Sequence, residues 1–427
     1  MGRKSNAEKR ATYVVIYILI AIVGLIGGFG GLTYFKLPLT DTLISTTNTY
    51  YSYSSNASSA PAVAVDSALT IQFLELGNKY TGDCTFIQVG NVEILIDCGS
   101  KSSSIETVKN YISSFMADDK LDYVIVTHAH QDHYAGFSTS STTKNIFDYF
   151  EVGTIIEFAQ SENQDSAMYK RYVENRNEER NETRENTIDG KGARWFTALD
   201  AINAGENGEN DTTNQGAKSI IPLNDSGTIT LQILDQKYYR EDAHSENDYS
   251  VCCMINQQGE DSTYRRFVFT GDLEEDGEES LLELNNVFKT ADPLNVELYK
   301  AGHHGSKTSS SSAFISKIAP KKVCVCCCAG SSEYSSNIEN QFPTKKFMET
   351  ISPYTTEVYV TSRCVDYKAN KYESFNGNIA VSSVSSGVVV NCSNNNTVLK
   401  DSEWFKQYCQ RLQDNNITFN VDYKWLQ

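Results

Sequence analysis

Apolar and polar positions alternate with a period of two through Leu69-Thr-Ile-Gln-Phe-Leu-Glu-Leu76, which predicts a strand with one buried face. The stretch Cys84 to Asp97 alternates in the same way and is interrupted by Gly90-Asn91, so it reads as a hairpin. From Ser104 to Met116 the period changes. Ile105, Val108, Tyr111, Ile112 and Phe115 share one helical face, and the short apolar run Tyr123 to Thr127 then predicts a buried strand. Strand, helix, strand is the signature of an α/β protein. Further strands are expected over 228–234, 249–255, 266–270, 296–300, 322–328 and 357–361 and near 379–391. Helices are expected at 278–284, 312–318 and 404–412.

Two stretches break this rhythm. Residues 11–35 form a nearly uninterrupted apolar run, which as a helix rising about 1.5 Å per residue reaches roughly 38 Å, enough to cross a bilayer core. Arg3, Lys4, Lys9 and Arg10 precede it and Lys36 is the next basic residue. The positive-inside bias therefore puts residues 1–10 in the cytoplasm and the rest outside the cell. The run is long for a signal peptide and no small-x-small site follows it, so a single-pass membrane anchor is the expectation. Residues 36–68, rich in Ser, Thr, Ala and Tyr, read as a linker to one domain spanning 69–427. Within that domain, about 138–216 loses apolar density and is expected as a solvated helix or mobile insertion.

Composition narrows the function. A net charge of −17 repels nucleic acid unless a local basic patch overrides it, so nucleic-acid binding is not favoured, and no protein partner is implied. Eleven cysteines would suggest disulfides in an extracellular chain, but four of them lie in Val-Cys-Val-Cys-Cys-Cys-Ala. That run reads as a buried strand whose thiols act as small hydrophobes, since successive positions point to opposite faces and cannot converge on one ion.

Of six histidines, five fall in two clusters. His128-Ala-His130-Gln-Asp132-His133 follows a buried strand and packs three imidazoles and a carboxylate, ordinary ligands of Zn²⁺ and similar ions, into six residues. The strand end aims His128 and His130 together, and the following turn sends Asp132 and His133 to a second point. Arg266-Phe-Val-Phe-Thr-Gly-Asp272 delivers a carboxylate at another strand end, although alone such an ending is only a turn. Glu297-Leu-Tyr-Lys-Ala-Gly-His303-His304-Gly305-Ser306-Lys307 is a third strand ending in ligand-type residues.

With Gly82-Asp83, Leu95-Ile-Asp97-Cys-Gly99, Asn247-Asp-Tyr-Ser250 and Lys300-Ala-Gly-His-His-Gly-Ser-Lys-Thr-Ser309, these motifs resemble the metallo-β-lactamase superfamily. Within it the chain is similar to the soluble domain of ComEC-type competence proteins and to surface phosphorylcholine esterases. The resemblance implies an αββα sandwich with two metals at one edge. It implies that His128 and His130 hold the first ion, Asp132, His133 and His304 the second, and that Asp272 bridges them. Asp97 is implied to brace the ligand loop and His303 to face the substrate. The extra histidine usual for the first metal has no clear match, and His244 is the one histidine left for it.

Two divalent ions, Zn²⁺ first with Mn²⁺ as the alternative, would lower the pKa of a shared water and draw charge from the bond attacked. Asp132 is the protein candidate for handling the proton. His303, Ser306 and Lys307 are the candidates for steadying a phosphate oxygen. The expectation is an extracellular, membrane-anchored, metal-dependent hydrolase of a small or polymeric phosphodiester. The competing expectations are a nuclease on extracellular DNA, a lactone or β-lactam hydrolase, and a non-enzymatic metal-binding surface protein.

Overall fold

The computed structural model describes residues 68–140, 142–181, 192–259, 262–420 and 424–426. The expected cytoplasmic tail, the anchor at 11–35 and nearly all of the linker lie outside the described residues. Among the described residues no helix is long and apolar enough to cross a membrane.

Two eight-stranded sheets are formed among the described residues. The first contains β1 (Leu69–Phe73), β2 (Thr85–Val89), β3 (Val92–Ile96), β4 (Lys120–Val126), β5 (Glu151–Glu157) and β6 (Arg194–Thr197). It is completed by β15 (Ile379–Val384) and β16 (Gly387–Cys392), in the order β16-β15-β1-β2-β3-β4-β5-β6. The second contains β7 (Ile220–Pro222), β8 (Ile229–Leu234), β9 (Cys252–Gln258), β10 (Tyr264–Phe269), β11 (Leu298–Lys300), β12 (Val323–Ala329), β13 (Val358–Asp366) and β14 (Lys371–Ser374), in the reverse of sequence order. The hairpin expected at Gly90-Asn91 is β2 paired antiparallel with β3.

Apolar side chains on the facing sides of the two sheets make the central core. Phe73 of β1 meets Phe269 of β10 with ring centroids 6.4 Å apart. The buried Arg265 of β10 crosses from one sheet to the other, donating to Ser383 Oγ at 2.8 Å and to the Val384 carbonyl. Helices cover the outer faces. On the first sheet, α1 (Ile105–Ile112) buries Ile105, Val108 and Ile112, and Tyr111 Oη donates to Gln72 Oε1 at 2.7 Å. A short turn, α2 (Gln131–Tyr134), carries ligand-type residues, and α3 (Ala167–Asn181) and α4 (Ala198–Ala204) follow. On the second sheet, α5 (Glu275–Leu284), α6 (Ser312–Ile318), α7 (Lys345–Ile351) and α8 (Glu403–Asp414) bury Leu281, Phe314, Phe347 and Phe405 with Val268, Tyr299 and Val325. This is the mixed α/β architecture, helices outside two sheets, that the motifs imply.

The expected insertion at 138–216 needs correction. It is not only a surface excursion, because β5 and β6 extend the first sheet in parallel with β4. Helix α3 is pinned to that sheet by Tyr172 and Arg176, which both bond the buried carboxylate of Glu157. The remaining helix surface is charged, so these few anchors are not visible as a period. The cysteine-rich run is β12, buried along its whole length. Cys324 and Cys326 enter the core between the sheets, whereas Val325 and Cys327 face the helices.

Candidate metal centre

Strands β3 and β4 run parallel, as do β10 and β11, so the loops that leave their C-terminal ends gather at one edge of the sandwich. Strand β3 delivers Asp97, β4 delivers Thr127 to His133, β10 delivers Asp272, and β11 delivers His303 and His304. The loop entering β2, which is antiparallel to β3, brings Asp83 to the same edge. The backbones crowd closely here. A Cβ at Gly99 would stand 1.6 Å from the Asp132 carbonyl oxygen, so only glycine fits behind the ligand turn. The Val251 N–H donates to the Thr127 carbonyl at 2.9 Å and joins the two sheets beside the site.

Four of the expected residues converge. His133 Nε2 is 3.1 Å from Asp272 Oδ2 and 3.3 Å from His304 Nε2, and His304 Nε2 is 3.3 Å from Asp272 Oδ2 and 3.4 Å from Asp132 Oδ2. Tetrahedral coordination with bonds of about 2.0 to 2.1 Å sets ligand atoms about 3.3 Å apart, which is the spacing found. The opposite nitrogens are occupied. His133 Nδ1 lies 2.7 Å from Asp97 Oδ2 and His304 Nδ1 2.8 Å from the Cys326 carbonyl oxygen, so each ring is turned to present Nε2. Both His303 and His304 hold left-handed backbone (φ 45° and 56°), a costly conformation for side chains other than glycine, and this aims His304 inward.

A second pair lies alongside. His128 Nε2 is 3.0 Å from His130 Nδ1, and His128 Nδ1 is backed by the hydroxyls of Thr127 (3.1 Å) and Ser250 (3.3 Å). The Asp272 N–H donates to the same Ser250 hydroxyl at 3.0 Å, so Asp272 adjoins both pairs.

Asp83 was not singled out from the sequence as a ligand. Its carboxylate is close enough to share an ion with His133, Asp272 and His304, with ligand atoms of the four within 4.8 Å of one another. Its contacts, however, are to the Nδ1 atoms, 3.2 Å from His304 and 3.8 Å from His133, and it pairs with the buried ammonium of Lys300. Asp83 therefore braces the rings from behind, and Lys300, 3.8 Å from Asp272 Oδ1, offsets part of the buried negative charge. The signals were there, Gly82-Asp83 and the lysine three residues before His303, but nothing local distinguishes a bracing carboxylate from a turn.

The protonation pattern follows from this crowding. Burial and the neighbouring His133 charge hold the His128 imidazole well below its ordinary pKa, leaving it neutral and ready to bind an ion. Burial opposes a charge on His133, yet Asp272 and Asp97 lift its pKa to about 10. His304 is raised in the same sense by Asp272 and Asp83 against the effect of burial. Burial would raise the Asp132 carboxyl, but the His304 bond and the two imidazolium charges hold it well below the usual carboxylate range. Asp132 Oδ2 also accepts the Tyr334 hydroxyl at 2.8 Å, a contact from a loop that sequence patterning left unassigned.

The other expected residues divide. His303, with its side chain 21% exposed, stands 3.9 Å from Asp272 Oδ2, beside the converging residues. Ser306 is buried and its hydroxyl bonds within its own turn, to Thr308, while Lys307 is exposed. Neither is brought against the ligands. His244 is exposed in the loop ahead of Glu246 and does not join His128 and His130.

Residues 77–195 match the family model of the Metallo-beta-lactamase superfamily, which bears out the resemblance carried by the motifs. ComE operon protein 3 of Bacillus subtilis (strain 168) is 27% identical over 138 residues, 31% of this chain and 16% of that protein. The chain thus covers about a sixth of the length of that relative. Among solved structures, the metallo-beta-lactamase fold protein YhfI from Bacillus subtilis is similar at a TM-score of 0.35 and 12% identity, over 69% of this chain and 96% of that one. CmlA, a diiron beta-hydroxylase from Streptomyces venezuelae, is similar at 0.29 and 14%, over 70% of this chain and 45% of that one.

Proposed function

We propose that this protein is a metal-dependent hydrolase of phosphodiesters, working with two divalent ions, Zn²⁺ or Mn²⁺, at the edge where β4, β10 and β11 end. The observation that carries the reading is the set of contacts of 3.1 to 3.4 Å among the ligand atoms of His133, His304, Asp272 and Asp132. His128 and His130 would hold the first ion and Asp272 would stand between the two. Bound ions would supply a hydroxide at neutral pH and withdraw charge from the phosphorus. Around them, Asp97, Asp83 and the Cys326 carbonyl fix the imidazoles, and Lys300 compensates the carboxylates. His303, beside Asp272, is placed to meet a substrate oxygen.

The phosphodiester class is supported by the sequence likeness to ComEC-type domains and phosphorylcholine esterases. The apolar run at 11–35 with its basic flank supports a membrane anchor with the catalytic domain outside the cell. Cleavage of the domain from intact cells by added protease tests that placement, and full protection contradicts it.

Bis-p-nitrophenyl phosphate provides the test of the chemistry. Turnover should be abolished by chelation, restored by Zn²⁺ or Mn²⁺, and reduced at least 10²-fold in His130→Ala and Asp272→Ala with the fold retained. No turnover of phosphodiesters with any divalent ion would overturn the substrate class. No turnover of esters or lactones either would leave a non-enzymatic metal-binding protein.

A further inference from the structure

Beside the half of the site built on His128 and His130 lies the buried turn Glu246–Tyr249, followed by Ser250. Both flanks of this segment are fastened to the ligand loops. Glu246 Oε1 accepts the N–H of Ala129, the residue between the two histidines, at 3.0 Å. Ser250 Oγ touches His128 Nδ1 and accepts the Asp272 N–H.

Between these anchors lies Asn247, only 6% exposed. Its Nδ2 donates to Glu274 Oε1 at 3.0 Å and lies 3.5 Å from His303 Nδ1. Its Oδ1 is buried with no hydrogen-bond partner. The bond to Glu274 decides which way the amide is turned, because exchanging oxygen and nitrogen would set Oδ1 against a carboxylate. A buried amide oxygen left without a donor is costly, and native structures keep one where a ligand satisfies it.

We infer that Asn247 Oδ1 is the third protein ligand of the ion held by His128 and His130, with Glu274 orienting the amide from behind. The assignment rests on the two-ion reading of the site and deepens it. An amide oxygen is a harder donor than an imidazole, so this position favours Mn²⁺ relative to a site completed by a third histidine and binds Zn²⁺ less tightly than such a site.

The test reads metal binding rather than turnover. Metal-free full-length protein is titrated with Zn²⁺ and with Mn²⁺, with stoichiometry checked by equilibrium dialysis and folding by thermal melting. Two ions should bind, and the weaker should be the one lost in His130→Ala. Asn247→Leu should weaken that ion about tenfold or more and leave the tighter one unchanged. Asn247→His should strengthen Zn²⁺ there by a similar factor and alter the visible absorption of the Co²⁺-loaded protein.

Unchanged affinity in both variants would overturn the assignment, as would a wild-type stoichiometry of one. If Asn247→Leu fails to fold, Asn247→His decides alone, and an unaltered Zn²⁺ affinity and Co²⁺ spectrum then refute the inference. A protein that binds two ions with these variant effects but leaves phosphodiesters intact refutes only the substrate class.

Discussion

The two oxygens of Asp97 accept the Thr127 N–H (2.8 Å) and the Thr127 hydroxyl (2.7 Å) and face His133 Nδ1 at 2.7 Å, so one buried carboxylate fixes both the start and the end of the ligand loop. Asp97→Asn should keep the fold but lower metal affinity by about 10- to 100-fold, measured by titration of the metal-free protein. Affinity equal to wild type would remove Asp97 from its bracing role. A second carboxyl illustrates the opposite case. Burial and the nearby Asp122 raise Glu93 to about 7. A carboxyl raised on folding holds its proton more tightly in the native state, so its contribution to stability is lost as pH rises from about 4.5 towards 7. Glu93→Gln should therefore melt higher than wild type at pH 8 and close to it at pH 4.5. The reverse ordering would show that Glu93 is stabilised as an anion.

Strand β12 shows how far a pattern reading of an element carries. Its thiols are raised well above the ordinary cysteine pKa at Cys324 and Cys327, chiefly by burial, which makes them unreactive. Cys84, Cys98, Cys252 and Cys253 are buried as well, and Cys364, Cys392 and Cys409 are partly exposed. Ellman's reagent should modify at most three thiols rapidly in the native protein and all eleven in denaturant. Fast reaction of eight or more would require thiols of β12 and show that it is open to solvent. The alternation over 323–327 was legible because a strand has a fixed period of two. The bulge between Val325 and Cys328, which shifts its pairing with β13, was not, since it depends on the neighbouring strand.

Across the whole molecule, the ligands come from both sheets, His128 to His133 from the first and Asp272 and His304 from the second. Ions bound by these candidate ligands would therefore fasten the halves of the sandwich together. Binding to the native state alone adds about 2.7 kcal/mol at a free metal concentration a hundredfold above Kd, worth several degrees in Tm for a domain of this size. Metal-free protein should melt lower by that amount in calorimetry. The difference should shrink on acidification, because coordination must displace the protons that His133, raised to about 10, and His304 hold more firmly as pH falls. A gap that widens with acid would contradict the ligand set.

The sequence by itself determined the strands and helices that alternate cleanly and the strand ends that carry ligand-type residues, and it made His128, His130, Asp132, His133, Asp272 and His304 the candidates, because short-range period and ligand chemistry are local properties. Only the tertiary structure decided which nitrogen each ring presents, since that depends on Asp97 and on the Cys326 carbonyl, far away in the chain. It also decided that the polar stretch 138–216 contributes β5 and β6 to a sheet, that His244 stays outside the site, and that Asp83 and Lys300 stand within it. Bracing groups of that kind carry no periodic or spacing signal, because their role is set by the partner the fold places opposite them rather than by their neighbours in sequence.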